Sequence, residues 1–377
     1  MRNTNKILKT CQVFNKFFIV LFLIFLPFMI YSASTPVPTF TQVTVYDSFA
    51  TNGPIYAITR AANVLYLGGN FTNIGKRVGM FYYCDLNGNQ INSPRMPQVD
   101  GTVYAIAPDG SGGFYIGGSF LYVGGLPRAR LAHILNTGEV DPVWTPSANN
   151  TVRVITIGGN SKIYIGGSFT QVTGSDGTIV TRYYLADLDP VTGNVLGMNV
   201  SFNGTVYDIN YYSNIRLLVA GSFTTVNDIS RPYFAVIQQD TDDGTLLGVN
   251  LGINGAVYSI ARPFNNAQTF IGGSFTRVSD TIVRNGIAMY TSFMYSTPTA
   301  QDFNVNGSVN SLFFDNTSAT LYATGSFTTV NGGLSTRKYA AAFDTSTAKA
   351  TSFNPDLDNI GYCITSNGTY IYIGGFF

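Results

Sequence analysis

The chain has 377 residues, of which 11% are charged and 14% aromatic, with 40 glycines and a formal net charge of +1. So small and even a charge leaves no basic footprint for nucleic acid or an anionic membrane surface. Abundant glycine and aromatic residues suit many short strands joined by tight turns rather than helices.

Arg2, Lys6, Lys9 and Lys16 lead into Phe17 to Ile30, an apolar run broken by Pro27, and the small residues Ser32, Ala33 and Ser34 follow. This reads as a secretory signal over 1–34, with a mature chain beginning near Thr35. The run is short of the roughly 20 residues that span a bilayer; the rival reading is an uncleaved anchor. Without 1–34 the 21 basic residues fall to 17 against 20 acidic ones, a net charge of −3. Cys11 leaves with the signal. Cys84 and Cys363 are too few for a disulfide framework and are read as buried free thiols.

Thr41 to Ser48 alternates like a strand and is expected to join the final repeat. From there on, 35–377 reads as one repeat domain. Tyr115-Ile-Gly-Gly-Ser-Phe120 recurs at Tyr164 to Phe169, with looser copies at Tyr66–Phe71, Leu218–Phe223, Phe270–Phe275, Tyr322–Phe327 and Tyr372–Phe377. The closing phenylalanines lie 49, 49, 54, 52, 52 and 50 residues apart.

Each copy runs in the same order. A β-type run such as Val103–Ala107 comes first, then a turn such as Pro108–Gly113 with its Asp-Gly and Gly-Gly pairs. The Gly-Gly-Ser-Phe strand follows, then a loop carrying Arg128, Arg182, Arg231, Arg284 or Arg337. A third run (Leu131 to Leu135, or Tyr184 to Leu188) and a weaker fourth complete the copy.

Four strands in about 50 residues match one propeller blade. A single blade cannot bury both its faces, so blades stack radially. The expected fold is all-β: a β-propeller of about seven four-stranded blades, six copies complete and a seventh stopping at Phe377, midway through its second strand. Six blades with a loose tail is the alternative. Paired glycines would let adjacent sheets approach near the axis, with the phenylalanine filling the wider space outside.

The second residue of each first run is Tyr56, Tyr104, Arg153, Tyr207, Tyr258, Asn310 or Tyr362. Such a set is the candidate binding ring at a channel mouth, where tyrosines stack on sugars or grip a partner; inter-blade packing is the plainer reading. Sequons at Asn149, Asn199, Asn203, Asn306, Asn316 and Asn367 are candidate glycosylation sites. A further one, Asn70, lies within the repeat strand and is expected to be unusable. An Asn-, Thr- and Gly-rich turn composition also produces sequons by chance.

Catalytic chemistry finds little purchase. His133, the single histidine, reads as a partly exposed strand residue, and no metal-ligand spacing or nucleophile elbow accompanies it. Asp85, Asp109, Asp141, Asp187, Asp189 and Asp344 read as turn formers. Glu139 is the one glutamate of the mature chain. Asp240 to Thr245 has the look of a calcium loop but misses its spacing. No cofactor or metal is called for.

One family shares this grammar. With Gly117-Gly-Ser-Phe120, Ala132-His-Ile134, Gly138 and Val140-Asp-Pro-Val-Trp144, the chain resembles the delta-sixty repeat β-propellers, which are kelch-like. It is also similar to the lumenal or extracellular propellers of fungal cell-polarity landmark proteins. The later copies depart from the Asp-Pro-aromatic element at Gly197-Met-Asn and Gly248-Val-Asn. The resemblance covers nearly all of the mature chain and implies a propeller in an extracellular setting, with no catalytic residues to carry over.

The functional expectation is a secreted or cell-surface, noncatalytic, monomeric binding module for a protein or glycan. It would meet a membrane only through an anchor outside this chain. The alternatives are a secreted carbohydrate-active enzyme using Asp carboxylates, and the ectodomain of a longer membrane-anchored polarity or adhesion protein.

Overall fold

The computed structural model describes residues 28–32, 53–61, 64–71, 73–74, 76–77, 81–85, 96–212, 216–239, 243–264, 268–291 and 297–377. Among these the chain is all-β, built from small antiparallel sheets.

Seven sheets share one plan, with the middle strand hydrogen-bonded on both sides. The first pairs Ile55–Ala61, Val64–Gly69 and Phe81–Asp85, and the second Val103–Pro108, Phe114–Gly118 and Leu131–Ile134. The third has Val152–Ile157, Ile163–Gly167 and Leu185–Leu188, and the fourth Val206–Tyr212, Arg216–Gly221 and Phe234–Gln238. Val257–Ala261, Thr269–Gly273 and Ile287–Tyr290 make the fifth; Val309–Asp315, Thr320–Gly325 and Ala340–Asp344 the sixth. In the seventh, Gly361–Ser366 and Tyr370–Gly375 take their third strand from Phe28–Ser32.

Two expectations are corrected here. First, among the described residues the fourth run is a paired strand only in the fourth sheet, at Thr245–Leu246. In the second, third and sixth sheets it shrinks to single bridges, Ile134 to Val140, Leu188 to Val195 and Phe343 to Ala350. After Val140 the Asp141 side chain caps the backbone amides of Val143 and Trp144, and Pro142 has no N–H to extend a ladder. Second, the seventh copy completes its second strand, and its sheet is no thinner than most of the others. Its partner strand Phe28–Ser32 lies within the segment read as the signal; Thr41–Ser48, expected to join the same repeat, lies outside the described residues.

The arginine-bearing loop is itself a small hairpin, such as Tyr122–Val123 with Leu126–Pro127. The repeat arginine fastens it: Arg128, Arg182, Arg284 and Arg337 each donate from Nη1 to the preceding carbonyl. Their Nη2 groups donate to the carbonyls of Asp141, Leu196, Thr299 and Thr351, where the chain leaves the third strand.

The core is not one mass. Six apolar clusters each lie between two successive sheets, from Tyr66 with Ile116 at the first pair to Ala342 with Ile373 at the last. The phenylalanines closing the repeat segment are buried in all seven copies, each worth roughly 1.5–3 kcal/mol of transfer free energy. The first strands pack one on the next in chain order, and the seventh (Gly361–Ser366) also packs on the first (Ile55–Ala61). At that last contact the Cys363 thiol, buried and free, lies 3.8 Å from the Ile55 carbonyl oxygen.

Only the first glycine of each pair serves sheet-to-sheet approach. A Cβ at Gly117 would meet Val152 of the next sheet at 2.7 Å, and one at Gly374 would meet Ile55 at 2.8 Å. The second glycine answers to its own sheet: a Cβ at Gly118 would sit 2.0 Å from the Thr102 carbonyl oxygen, and one at Gly273 2.1 Å from that of Ala256. The cause is a register shift. Val103 pairs with Gly118 and Ala105 with Gly117, leaving Tyr104 as the extra residue of a bulge, and the same shift occurs in the other six sheets.

Candidate functional site

The seven bulges single out seven residues: Tyr56, Tyr104, Arg153, Tyr207, Tyr258, Asn310 and Tyr362. A bulge breaks the pleat and re-aims a side chain. Here each bulge residue is half-buried while the one before it is buried. Because the first strands of neighbouring sheets touch, the bulge residues meet across sheets.

Tyr362 and Tyr56 have ring centroids 5.1 Å apart, and Tyr56 and Tyr104 5.3 Å. The Arg153 guanidinium lies 5.0 Å from the centre of the Tyr104 ring and 5.5 Å from that of Tyr207. Tyr207 meets Tyr258 edge-on at 5.3 Å. Six of the seven expected residues thus form an unbroken arc. Asn310 joins through the backbone, its Nδ2 donating to the Gly361 carbonyl beside Tyr362 at 2.9 Å. Burial, followed by the neighbouring Tyr362 and Tyr104 hydroxyls, pushes the Tyr56 phenol above its ordinary range. The cation between two rings gains from both π faces.

Reading from the sequence missed a carboxyl one residue beyond this arc. Asp208 follows Tyr207, and its Oδ2 accepts the Ile260 amide of the next sheet at 2.6 Å. Burial raises its pKa to about 6, against the lowering by the Ile260 and Ile209 amides. Ser259 makes the equivalent link, accepting from the Leu312 amide at 3.0 Å. Alternation disguised both as ordinary strand residues.

The sequons follow from architecture, not from composition alone. Asn203 Oδ1 accepts the amides of Thr224 and Thr225 while its Nδ2 donates to Thr224 Oγ1. Asn149 and Asn306 do the same at their own hairpins. So does Asn254, which is no sequon, and Asp100 accepts the equivalent pair of amides. In these five sheets the clamp sits three residues ahead of the first strand, a spacing visible in the sequence. Asn199 and Asn316 are exposed, and Asn367 turns its Nδ2 onto the Tyr372 hydroxyl. Asn70 follows its strand and is exposed.

His133 is buried, 8% exposed, rather than partly open. Its Nδ1 lies 2.8 Å from Asp141 Oδ2 and its Nε2 3.1 Å from Asp109 Oδ2, with the ring stacked on Tyr115 at 4.3 Å. Burial opposes ionisation of both carboxyls. The hydrogen bonds of Asp109 from Ser111 and His133, and of Asp141 from His133, Val143 and Trp144, outweigh it and hold both below their ordinary value. Carboxylates held ionised in this way are poor general acids. Asp187 is no turn former: it is fully buried in a third strand, accepting from Lys162 and the Met198 amide, and burial raises its pKa. Asp240 to Asp242 of the calcium-like loop lie outside the described residues. Among the described residues no group of three or more acidic, His or Cys side chains could hold a metal ion, and no helix is long and apolar enough to cross a membrane.

No protein-family model matches this chain, and a search of curated proteins returns no match.

Proposed function

We propose that the chain is a seven-bladed β-propeller acting as a secreted or cell-surface, noncatalytic binding module for a protein or glycan, with the bulge-residue ring as its contact site. What supports seven blades is the cyclic order of sheet contacts, in which the seventh first strand meets the first. The observation carrying the function is the arc from Tyr362 through Arg153 to Tyr258: aromatic rings and one cation from six different sheets, brought together by a distortion that every sheet repeats. Such a surface offers amphipathic rings and a fixed positive charge, the residue types that dominate recognition sites. The N-terminal charge pattern supports export. The module works as a monomer and uses no cofactor.

The test is a glycan array and an extracellular-protein array probed with the chain and with Arg153→Ala and Tyr207→Ala. The expected result is a ligand whose binding weakens at least tenfold in both variants at unchanged melting temperature. Equal binding by the variants would remove the ring from the site.

A further inference from the structure

Arg153 differs from the arginines that recur in the hairpin loops. Arg128, Arg182, Arg284 and Arg337 each commit both Nη groups to carbonyl oxygens. Arg153 instead holds the bulge position of the third sheet, half-buried between the Tyr104 and Tyr207 rings. Among the described residues its guanidinium has no hydrogen-bond acceptor and no ion pair, and its Nε is buried. A π face attracts the charge but brings no lone pair for the five N–H donors. The carboxylates at the neighbouring first strands are engaged elsewhere. Asp208 accepts the Ile260 amide, and Asp100 accepts those of Leu121 and Tyr122.

Hydroxyls lie beside this cation. Ser119, Ser168, Ser222, Ser274 and Ser326, each ahead of a closing phenylalanine, donate their amides to the carbonyls of Thr102, Thr151, Thr205, Ala256 and Ser308. Each of those carbonyls lies two residues before a bulge, and none of the five serines is buried. Ser168 Oγ is 3.1 Å from Thr205 Oγ1 of the next sheet, and the Tyr258 hydroxyl donates to Ser274 Oγ at 3.3 Å.

We infer, resting on the ring as the contact site, that its ligand is a saccharide bearing a carboxylate, with Arg153 as the anion subsite. A planar carboxylate offers two oxygens to the guanidinium fork. Tyrosine faces suit the C–H face of a pyranose, and the serine and tyrosine hydroxyls suit its hydroxyl groups. The seven ring residues are tyrosines, one arginine and one asparagine, with no aliphatic side chain among them. That composition favours a polyhydroxylated acid over an acidic peptide.

Calorimetric titration of the chain with tetragalacturonate, a hyaluronan tetrasaccharide and sialyllactose tests this. At least one should bind with a Kd of about 1 mM or tighter. Methyl esterification of that sugar removes the charge and should weaken binding about tenfold or more. In Arg153→Met the acid and its ester should bind within about twofold of each other, whereas Tyr258→Ala should weaken both alike. Arg153→Lys, which keeps the charge without the fork, should fall between. Equal binding of acid and ester by the unaltered chain, or no binding of any of the three acids, overturns the inference, and neither result depends on a variant folding. Tighter binding of a sulfated analogue or of an oligoglutamate peptide overturns it too, while leaving Arg153 as an anion site. A neutral ligand weakened by Arg153→Ala and Tyr207→Ala would keep the ring and strike the acid. Arrays without any ring-dependent ligand would strike both readings.

Discussion

Gly117 and Gly118 are neighbours with different reasons to be glycine. The first faces Val152 Cγ1, a side-chain atom that can give way; the second faces the Thr102 carbonyl of its own bulge, which cannot. Gly117→Ala should cost about 2 kcal/mol, an ordinary overpacking penalty. Gly118→Ala should cost more, above about 3 kcal/mol, and urea unfolding of the two variants checks the order. Asp208 supplies a pH test. Its folded pKa of about 6 lies above the ordinary 3.8, so between those values the folded chain holds a proton the unfolded chain has lost. Stability then falls as pH rises from 4 to 6, by roughly 3 kcal/mol at about 1.4 kcal/mol per pH unit. Asp109 and Asp141 act oppositely: held below 3.8 in the fold, they stabilise above that pH and lose the contribution as pH falls further. Asp208→Asn keeps an acceptor for the Ile260 amide and should reduce the slope between pH 4 and 6, leaving the share of Asp187, whose pKa burial also raises, without moving the acid limb. An unchanged slope would mean that this carboxyl titrates normally.

At the scale of the element, the clamp that joins the start of a first strand to the small hairpin after the second strand of the same sheet is the unit to test. Asn203→Ala removes two accepted amides and one donated bond, an expected loss of about 2 kcal/mol. Asn203→Asp keeps both acceptances, as Asp100 does, and should lose under about 1 kcal/mol. Both variants destroy the sequon, so thermal unfolding separates the clamp from any effect of a glycan. The clamp also shows what was legible. The Asx residue recurs at a fixed distance before every first strand, yet reads as a glycan acceptor when its hydrogen-bond partners, 21 to 23 residues downstream, are out of view. The repeat, its Gly-Gly-Phe segment and the seven ring positions were readable because local period carries them. The bulge was not: Val103-Tyr-Ala-Ile looks like plain alternation, and only the partner strand reveals the extra residue. The fourth run and the arginine hairpin were misjudged for a related reason, since ladder length depends on where a Pro removes a backbone donor or an Asp side chain takes over the backbone's hydrogen bonds.

Across the whole molecule, six apolar clusters join successive sheets, and the contact of Ile55 with Cys363 and Gly374 joins the last to the first. The proposed ring and its seven-membered site both depend on that closure, because Tyr56 completes the arc only if Tyr362 stands beside it. The burial of Cys363 also keeps its thiol protonated and unreactive by raising its pKa, so alkylation of the native chain should spare Cys363 and label it only on unfolding. The closure itself is best tested by placing the photo-cross-linking residue p-benzoylphenylalanine at Tyr56 and mapping the products by mass spectrometry. Tyr56 lies 5.3 Å from Tyr104 and 5.1 Å from Tyr362 between ring centroids, so the account predicts intramolecular products with both the 103–108 and the 361–366 segments. Products with 103–108 alone would show an open array of sheets and contradict it.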